Sequence, residues 1–209
     1  MAKILIVDDH DIVRKGLLQI LQDEPDVERV DEARNASELF EQLEQNEYDL
    51  IILDITLPGR SGLDVMKDIN DRYAEIPVLI LSMHAEEQYA VRALRAGAFG
   101  YINKQSASEE LVFAIRKILQ GDRYISETVA DHLASHVSSP NGHDPLKKLS
   151  DREYEVLHLT ASGLSVSDIA EKMCLSPKTI STYRTRLLSK LHLKNTAELV
   201  RFALQQGIE

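Results

Sequence analysis

The sequence predicts two domains in series: a doubly wound α/β domain of five parallel strands, then a smaller all-α domain of four helices in a helix-turn-helix arrangement. Three observations carry this prediction. Up to residue 121, short apolar runs alternate with longer amphipathic stretches, the pattern of a parallel sheet covered by helices on both faces. The segment Ser138-Ser-Pro-Asn-Gly-His-Asp-Pro145 is dense in turn formers and has no apolar period, so it reads as a linker. Beyond residue 147 every periodic stretch is helical. A chain of 209 residues has room for two cores, because domains run about 100 to 150 residues.

The clearest strands are Lys3-Ile-Leu-Ile-Val-Asp8, Asp49-Leu-Ile-Ile-Leu-Asp54 and Val78-Leu-Ile-Leu-Ser82, each apolar at nearly every position as a doubly buried strand must be. Weaker runs at 27–33 and 100–103 bring the count to five. Between them, residues 11–22, 36–46, 62–72 and 85–96 carry helical spacing, as in Val13, Leu17, Leu18 and Leu21. Ser106-Ala-Ser-Glu109 is a capping-box signal that opens a last helix through Leu119. The first domain therefore spans residues 1–121. Residues 122–146 form the linker, with a helix predicted at 126–137. The second domain spans 147–209, with helices at 150–161, 166–173, 177–191 and 196–206. Ser150-Asp-Arg-Glu153 and Ser165-Val-Ser-Asp168 open two of them, and Ser176 with Pro177 opens the third. Only Cys174 and Leu175 separate the second helix from that cap, which is the connection of a helix-turn-helix.

Charge divides along the chain. Residues 1–121 carry 13 Lys+Arg against 23 Asp+Glu, residues 122–146 carry 1 against 4, and residues 147–209 carry 10 against 7. Only the last part, at +3, has a local field that attracts phosphates. No apolar run approaches the roughly 18 to 20 residues that a membrane span needs, and no signal-peptide core follows Met1, so a cytoplasmic location without membrane contact is expected. Cys174 is the single cysteine; it can form neither an internal disulfide nor a zinc site alone and is expected as a small buried apolar group.

In a doubly wound sheet, ligands bind beyond the carboxyl ends of the strands. Those ends are chemically loaded here: Asp8 and Asp9 end the first strand, Asp54 the third and Ser82 the fourth, and Lys104 follows the fifth. Taken singly, each is an ordinary turn former, cap or solvated charge. Together they converge on one crevice, where three carboxylates would repel one another without a cation. Mg²⁺ suits such a site, since it takes one or two carboxylates with waters and phosphate oxygens. Asp54 can then attack phosphorus as a carboxylate nucleophile while Lys104 offsets charge on the transferring group.

Val7-Asp-Asp-His10, Asp54-Ile-Thr-Leu-Pro-Gly59 with Ser61-Gly-Leu63, Leu81-Ser82, and Ala96-Gly-Ala-Phe-Gly-Tyr101 followed by Lys104 resemble the receiver domain of two-component response regulators. The resemblance covers residues 3 to 121. It implies a flavodoxin-like fold and a phosphoryl group taken by Asp54 from a sensor histidine kinase. It also implies Mg²⁺ held by Asp9, Asp54 and the backbone carbonyl of Thr56, with Asp8 acting through water. Ser82 would contact phosphoryl oxygens, and Tyr101 would be an aromatic switch that turns inward after phosphorylation. Such a domain is not an enzyme beyond slow self-dephosphorylation. Thr56 and Asn103 depart from the commonest receiver residues and bear on phosphoryl lifetime.

On the third helix of the second domain, Ile180, Leu187 and Leu191 share one face, while Lys178, Ser181, Thr182, Thr185 and Ser189 lie opposite. That polar face is consistent with plain solvation and equally with close approach to base edges. Leu149-Ser-Asp-Arg-Glu-Tyr-Glu-Val-Leu157, Gly163-Leu-Ser165, Leu175-Ser-Pro-Lys-Thr-Ile180, Tyr183 and Lys190-Leu191 resemble the LuxR-type DNA-binding domain, and its order after a receiver is that of the NarL/FixJ class. The resemblance implies a transcription factor whose third helix enters the major groove. Lys178, Thr179, Ser181, Thr182 and Thr185 would face bases, and Arg184, Arg186 and Lys190 phosphates. A homodimer on phosphorylation is implied, and RNA polymerase is open as a further partner. Two rivals differ in class. A magnesium-dependent phosphatase of the haloacid dehalogenase type needs an Asp two residues after the nucleophile, where this chain has Thr56. A receiver with a protein-binding output would differ in whether residues 147–209 retain DNA.

Overall fold

The computed structural model describes residues 1–83, 86–104, 107–126, 129–130 and 145–208. The chain forms two compact units, Met1–Pro140 and Asn141–Glu209.

In the first unit the elements run β1 (Ala2–Val7), α1 (Asp11–Gln22), β2 (Val27–Ala33), α2 (Ala36–Gln45), β3 (Leu50–Asp54), α3 (Gly62–Arg72), β4 (Val78–Ser82), α4 (Glu86–Arg95), β5 (Gly100–Asn103) and α5 (Ala107–Leu119). The five strands are parallel and ordered β2-β1-β3-β4-β5, the doubly wound arrangement expected. Ile4, Ile6, Leu50, Ile52, Leu79, Leu81 and Ile102 pack with Leu17 and Leu21 of α1 and with Leu111, Ala114, Ile115 and Ile118 of α5. Residues alternating with these, Leu5, Ile51, Leu53, Ile80 and Tyr101, are equally buried. Burial on both faces explains why the central strands are apolar at nearly every position.

The first unit continues past residue 121, where the sequence places its end. Tyr124 forms a parallel bridge with Gly100, donates its backbone N–H to the Phe99 carbonyl at 2.8 Å and belongs to the core cluster. Its hydroxyl donates to Glu110 at 2.6 Å. A Cβ at Gly100 would lie 2.9 Å from Leu79 Cδ1 and 3.1 Å from Tyr124 Cβ, so the glycine permits this docking. Most of the helix expected at 126–137, nearly all of the linker 138–145 and the Ser106 cap lie outside the described residues.

The second unit opens with a 3-10 turn at Pro145–Lys148, followed by α6 (Asp151–Ala161), α7 (Val166–Lys172), α8 (Pro177–Leu191) and α9 (Thr196–Gln205). Capping boxes at Ser150/Glu153 and Ser165/Asp168 start α6 and α7. Ser176 accepts from Thr179 N at the start of α8, with Pro177 in the first turn. Val156, Ile169, Met173, Ile180, Leu187, Leu199 and Ala203 are buried and form the apolar interior of this unit.

Cys174 corrects an expectation. It is exposed, with φ at +52°, in the turn between α7 and α8. Met173 takes the interior position beside it at 1% exposure. A left-handed residue reverses the chain direction, and here it turns the thiol outward.

Candidate phosphoacceptor pocket and helix-turn-helix face

The parallel register brings the strand ends together: Asp54 lies beside Leu81, and Ser82 beside Asn103. Asp8, Asp54 and Ser82 are buried at 1%, 2% and 0% exposure, while Asp9 keeps 36% of its side chain in solvent. Lys104 Nζ lies 2.6 Å from Asp8 Oδ2 and 2.6 Å from Asp54 Oδ2. The contact with Asp54 is a hydrogen bond. The one with Asp8 lacks hydrogen-bond alignment, so Asp8 Oδ2 is buried with a charge beside it but no aligned donor. Thr56 donates its backbone N–H to Asp54 Oδ1 at 3.1 Å.

The electrostatics follow from this count of charges. Burial is the largest influence on Asp54 and pushes its carboxyl up to about 6; Asp8 adds to the rise, and Lys104 and the Thr56 N–H oppose it. Burial works to lower the Lys104 ammonium, but attraction to Asp54 and Asp8 outweighs it and raises the group above its ordinary value. Two dry carboxylates face one ammonium, so the pocket is short of positive charge. Asp8, Asp9, His10 and Asp54 offer ligand atoms within 4.8 Å of one another. This donor set fits a divalent cation.

Backbone geometry holds the pocket open on one side and tight on the other. Ser61 caps α3, and Gly62 donates to the Ile55 carbonyl at 2.7 Å. A Cβ at Gly62 would sit 2.6 Å from Ile55 Cα and closer still to the Asp54 carbonyl, so only glycine lets α3 start this near the acidic loop.

Arg14 was not singled out from the sequence. It is 3% exposed, and it donates to the Asp8 carbonyl at 2.6 Å, to Glu32 at 2.9 Å and to Asp11, fixing the β1–α1 loop. Its place among the apolar positions of α1 was the available signal. His10 was also passed over, although it adjoins Asp8 and Asp9 in sequence. Tyr101, expected as the aromatic switch, is buried at 1% exposure.

On α8, Lys178, Ser181, Thr182, Thr185, Arg186 and Ser189 are exposed. Ser181, Thr182 and Thr185 each donate a hydroxyl to the carbonyl four residues back, at 2.9, 2.9 and 3.0 Å, which leaves their oxygens outward as acceptors. Thr179 is tied into the Ser176 cap. A shallow recess beside it is lined by Ser176, Lys178, Thr179, Thr182, Tyr183 and Arg186. The remaining cations differ in availability. Arg184 donates to Thr196 at the start of α9. Lys190 lies 2.6 Å from Glu153 Oε2 and 3.1 Å from the Lys148 carbonyl, with 40% of its side chain exposed.

Residues 4–116 match the response regulator receiver domain, and residues 147–203 match the luxR family of bacterial regulatory proteins. Across its whole length the chain is 34% identical to the response regulator UvrY of Escherichia coli, covering 96% of that protein. It is 37% identical to the oxygen regulatory protein NreC of Staphylococcus carnosus over 99% of this chain and 98% of that one. Among solved structures it is similar to RcsB from Salmonella enterica serovar Typhimurium bound to promoter rprA in the presence of phosphomimetic BeF3-, with a TM-score of 0.67, 28% identity and coverage of 96% of this chain and 97% of that one. The chain therefore belongs to the two-component response regulators of NarL/FixJ type, with a receiver domain ahead of a LuxR-type DNA-binding domain.

Proposed function

We propose that Asp54 accepts a phosphoryl group from a phosphohistidine of a sensor kinase and that this controls sequence-specific DNA binding by α8. The observation that carries the reading is the placement of Lys104 Nζ 2.6 Å from both Asp8 and Asp54. A carboxylate oxygen of Asp54 forms the new bond to phosphorus as the phosphorus–nitrogen bond to the donor imidazole breaks, and that nitrogen leaves with its electron pair. Lys104 can turn from Asp54 to an oxygen of the transferred group without losing Asp8. Ser82 lies at the end of the neighbouring strand, within the same crevice. Asp9, Asp54 and the Thr56 carbonyl would hold Mg²⁺, with Asp8 through water. The cation supplies neutralising charge for the transferring group. The position two residues after Asp54, where the phosphatase alternative needs an Asp as general acid, holds Thr56. We therefore read the domain as a phosphoacceptor rather than an enzyme.

In the output domain, Lys178, Thr182 and Thr185 are read as facing bases in the major groove, and Arg186 as a phosphate contact. The exposed face of α8 supports this, as does RcsB having been solved on promoter DNA. Arg184 and Lys190, held by Thr196 and Glu153, are assigned lesser roles. Phosphorylation is proposed to favour a dimer bound to two half-sites about one helical turn apart. Asp54→Asn tests the first step: magnesium-dependent labelling by acetyl phosphate should vanish, and undiminished labelling would sink the assignment. Sedimentation with and without phosphodonor tests the second, with an unchanged mass counting against it.

A further inference from the structure

The acidic pocket contains one group that a hard-cation site does not require. His10 occupies the N-cap of α1, with φ −89° and ψ 106°, yet its side chain makes no capping hydrogen bond. That position favours Ser, Thr, Asp or Asn, whose short side-chain oxygens satisfy an orphan backbone N–H. The imidazole turns instead onto the carboxylates. Its Nδ1 lies 2.8 Å from Asp9 Oδ1 and 3.1 Å from Asp8 Oδ1, although 58% of the side chain is exposed and free to face water. Neighbouring ligands on a six-coordinate ion with bonds of about 2.0 to 2.2 Å stand about 3 Å apart. The separation from Asp9 fits that edge, and the contact with Asp8 is a hydrogen bond that orients the ring. The loop that presents His10 is fixed from beneath, because Arg14 binds the Asp8 carbonyl and His10 donates its own backbone N–H to Asp8 Oδ1 at 2.9 Å.

We infer that His10 supplies a nitrogen ligand to the divalent cation of this pocket, so that the site takes Mn²⁺ and Co²⁺ in preference to Mg²⁺. The inference rests on reading Asp9 and Asp54 as cation ligands. Mg²⁺ seeks oxygen ligands and gives up its water reluctantly, so an imidazole adds little to its binding. Later first-row ions accept imidazole nitrogen readily, and their affinity for mixed nitrogen and oxygen sites rises from Mn²⁺ to Co²⁺. Carboxylates alone would discriminate less. A nitrogen at the solvent-facing edge sets the preference without disturbing the buried Asp54.

Calorimetric titration of the full unphosphorylated chain with Mg²⁺, Mn²⁺ and Co²⁺ chlorides at about pH 8 tests this, comparing wild type with His10→Ala, Asp9→Ala and Asp54→Asn. His10→Ala removes no capping bond, so folding is retained; circular dichroism verifies it. The expected result is a loss of Mn²⁺ and Co²⁺ affinity on the order of tenfold with Mg²⁺ affinity moved by less than about twofold. Pulsed electron paramagnetic resonance of the Mn²⁺-loaded wild type should show nitrogen modulation that disappears in His10→Ala. Equal losses for all three cations, or no nitrogen coupling in the wild type, would overturn the inference. If Asp9→Ala and Asp54→Asn weaken every cation while His10→Ala alters none, His10 alone is wrongly assigned. If all three variants bind every cation as wild type does, the reading of the pocket as a cation site fails with it.

Discussion

Asp54→Asn tests the electrostatics of the pocket separately from its chemistry. Asp8 and Asp54 are almost dry, and Lys104 lies against both, so removing one carboxylate leaves a matched buried pair. Burial raises Asp54 from its ordinary 3.8 to about 6. A raised carboxyl means that the folded state holds the proton more tightly than the unfolded state. The stabilising contribution is therefore complete below about 3.8 and is lost as pH rises through about 6. At about 1.4 kcal/mol per pH unit, ionised Asp54 costs about 3 kcal/mol at neutral pH in the cation-free protein. Asparagine has nearly the same shape and no charge, so the variant should gain most of that. For a unit of this size the gain corresponds to a midpoint on the order of 10 °C higher. Thermal melts in chelator should show almost no gap near pH 4 and the full gap by pH 7. Added Mg²⁺ should narrow it, because a ligand that binds only the folded wild type stabilises by mass action. A variant melting at or below wild type at pH 7, or a gap indifferent to pH, would refute this account of the pocket.

Gly62→Ala places a methyl 2.6 Å from Ile55 Cα; overpacking of this kind should lower stability by about 1 to 3 kcal/mol, read by denaturant titration, and slow labelling of Asp54 by acetyl phosphate. Glu153 accepts from Ser150 N at 2.8 Å and from Lys190. Burial opposes its ionisation, but these bonds prevail and hold the carboxyl below its ordinary 4.5. Its stabilisation is therefore present above that value and lost as pH falls through the lower folded one. Glu153→Gln should lower the melting point of the helical unit at pH 7 and flatten its acid dependence between pH 5 and 3, as followed by circular dichroism. Lys178→Ala and Thr182→Ala should each relax base preference by about 1 to 3 kcal/mol, whereas Arg186→Ala should weaken all DNA alike and reduce the salt slope by about one; uniform losses in all three would remove α8 as the reader.

How much of this was legible in the sequence depended on where each partner comes from. Asp8, Asp54, Ser82 and Lys104 could be grouped because parallel topology brings the carboxyl ends of neighbouring strands together, and the apolar runs that end in those residues mark the strands. The caps of α6, α7 and α8 were legible for a different reason: each joins residues three apart, inside the window that local spacing describes. Arg14 meets Glu32 across 18 residues, and Lys190 meets Glu153 across 37. In neither case does the surrounding period show the partner. Cys174 was misjudged because residue type was used where the sign of φ decides: a left-handed turn residue points away from the interior that Met173 fills. Tyr124 escaped because a single bridge to Gly100 has no repeat to detect. Lys104 bears most on the proposed function: lying 2.6 Å from both Asp8 and Asp54, it is the charge that a phosphoryl group on Asp54 would redistribute.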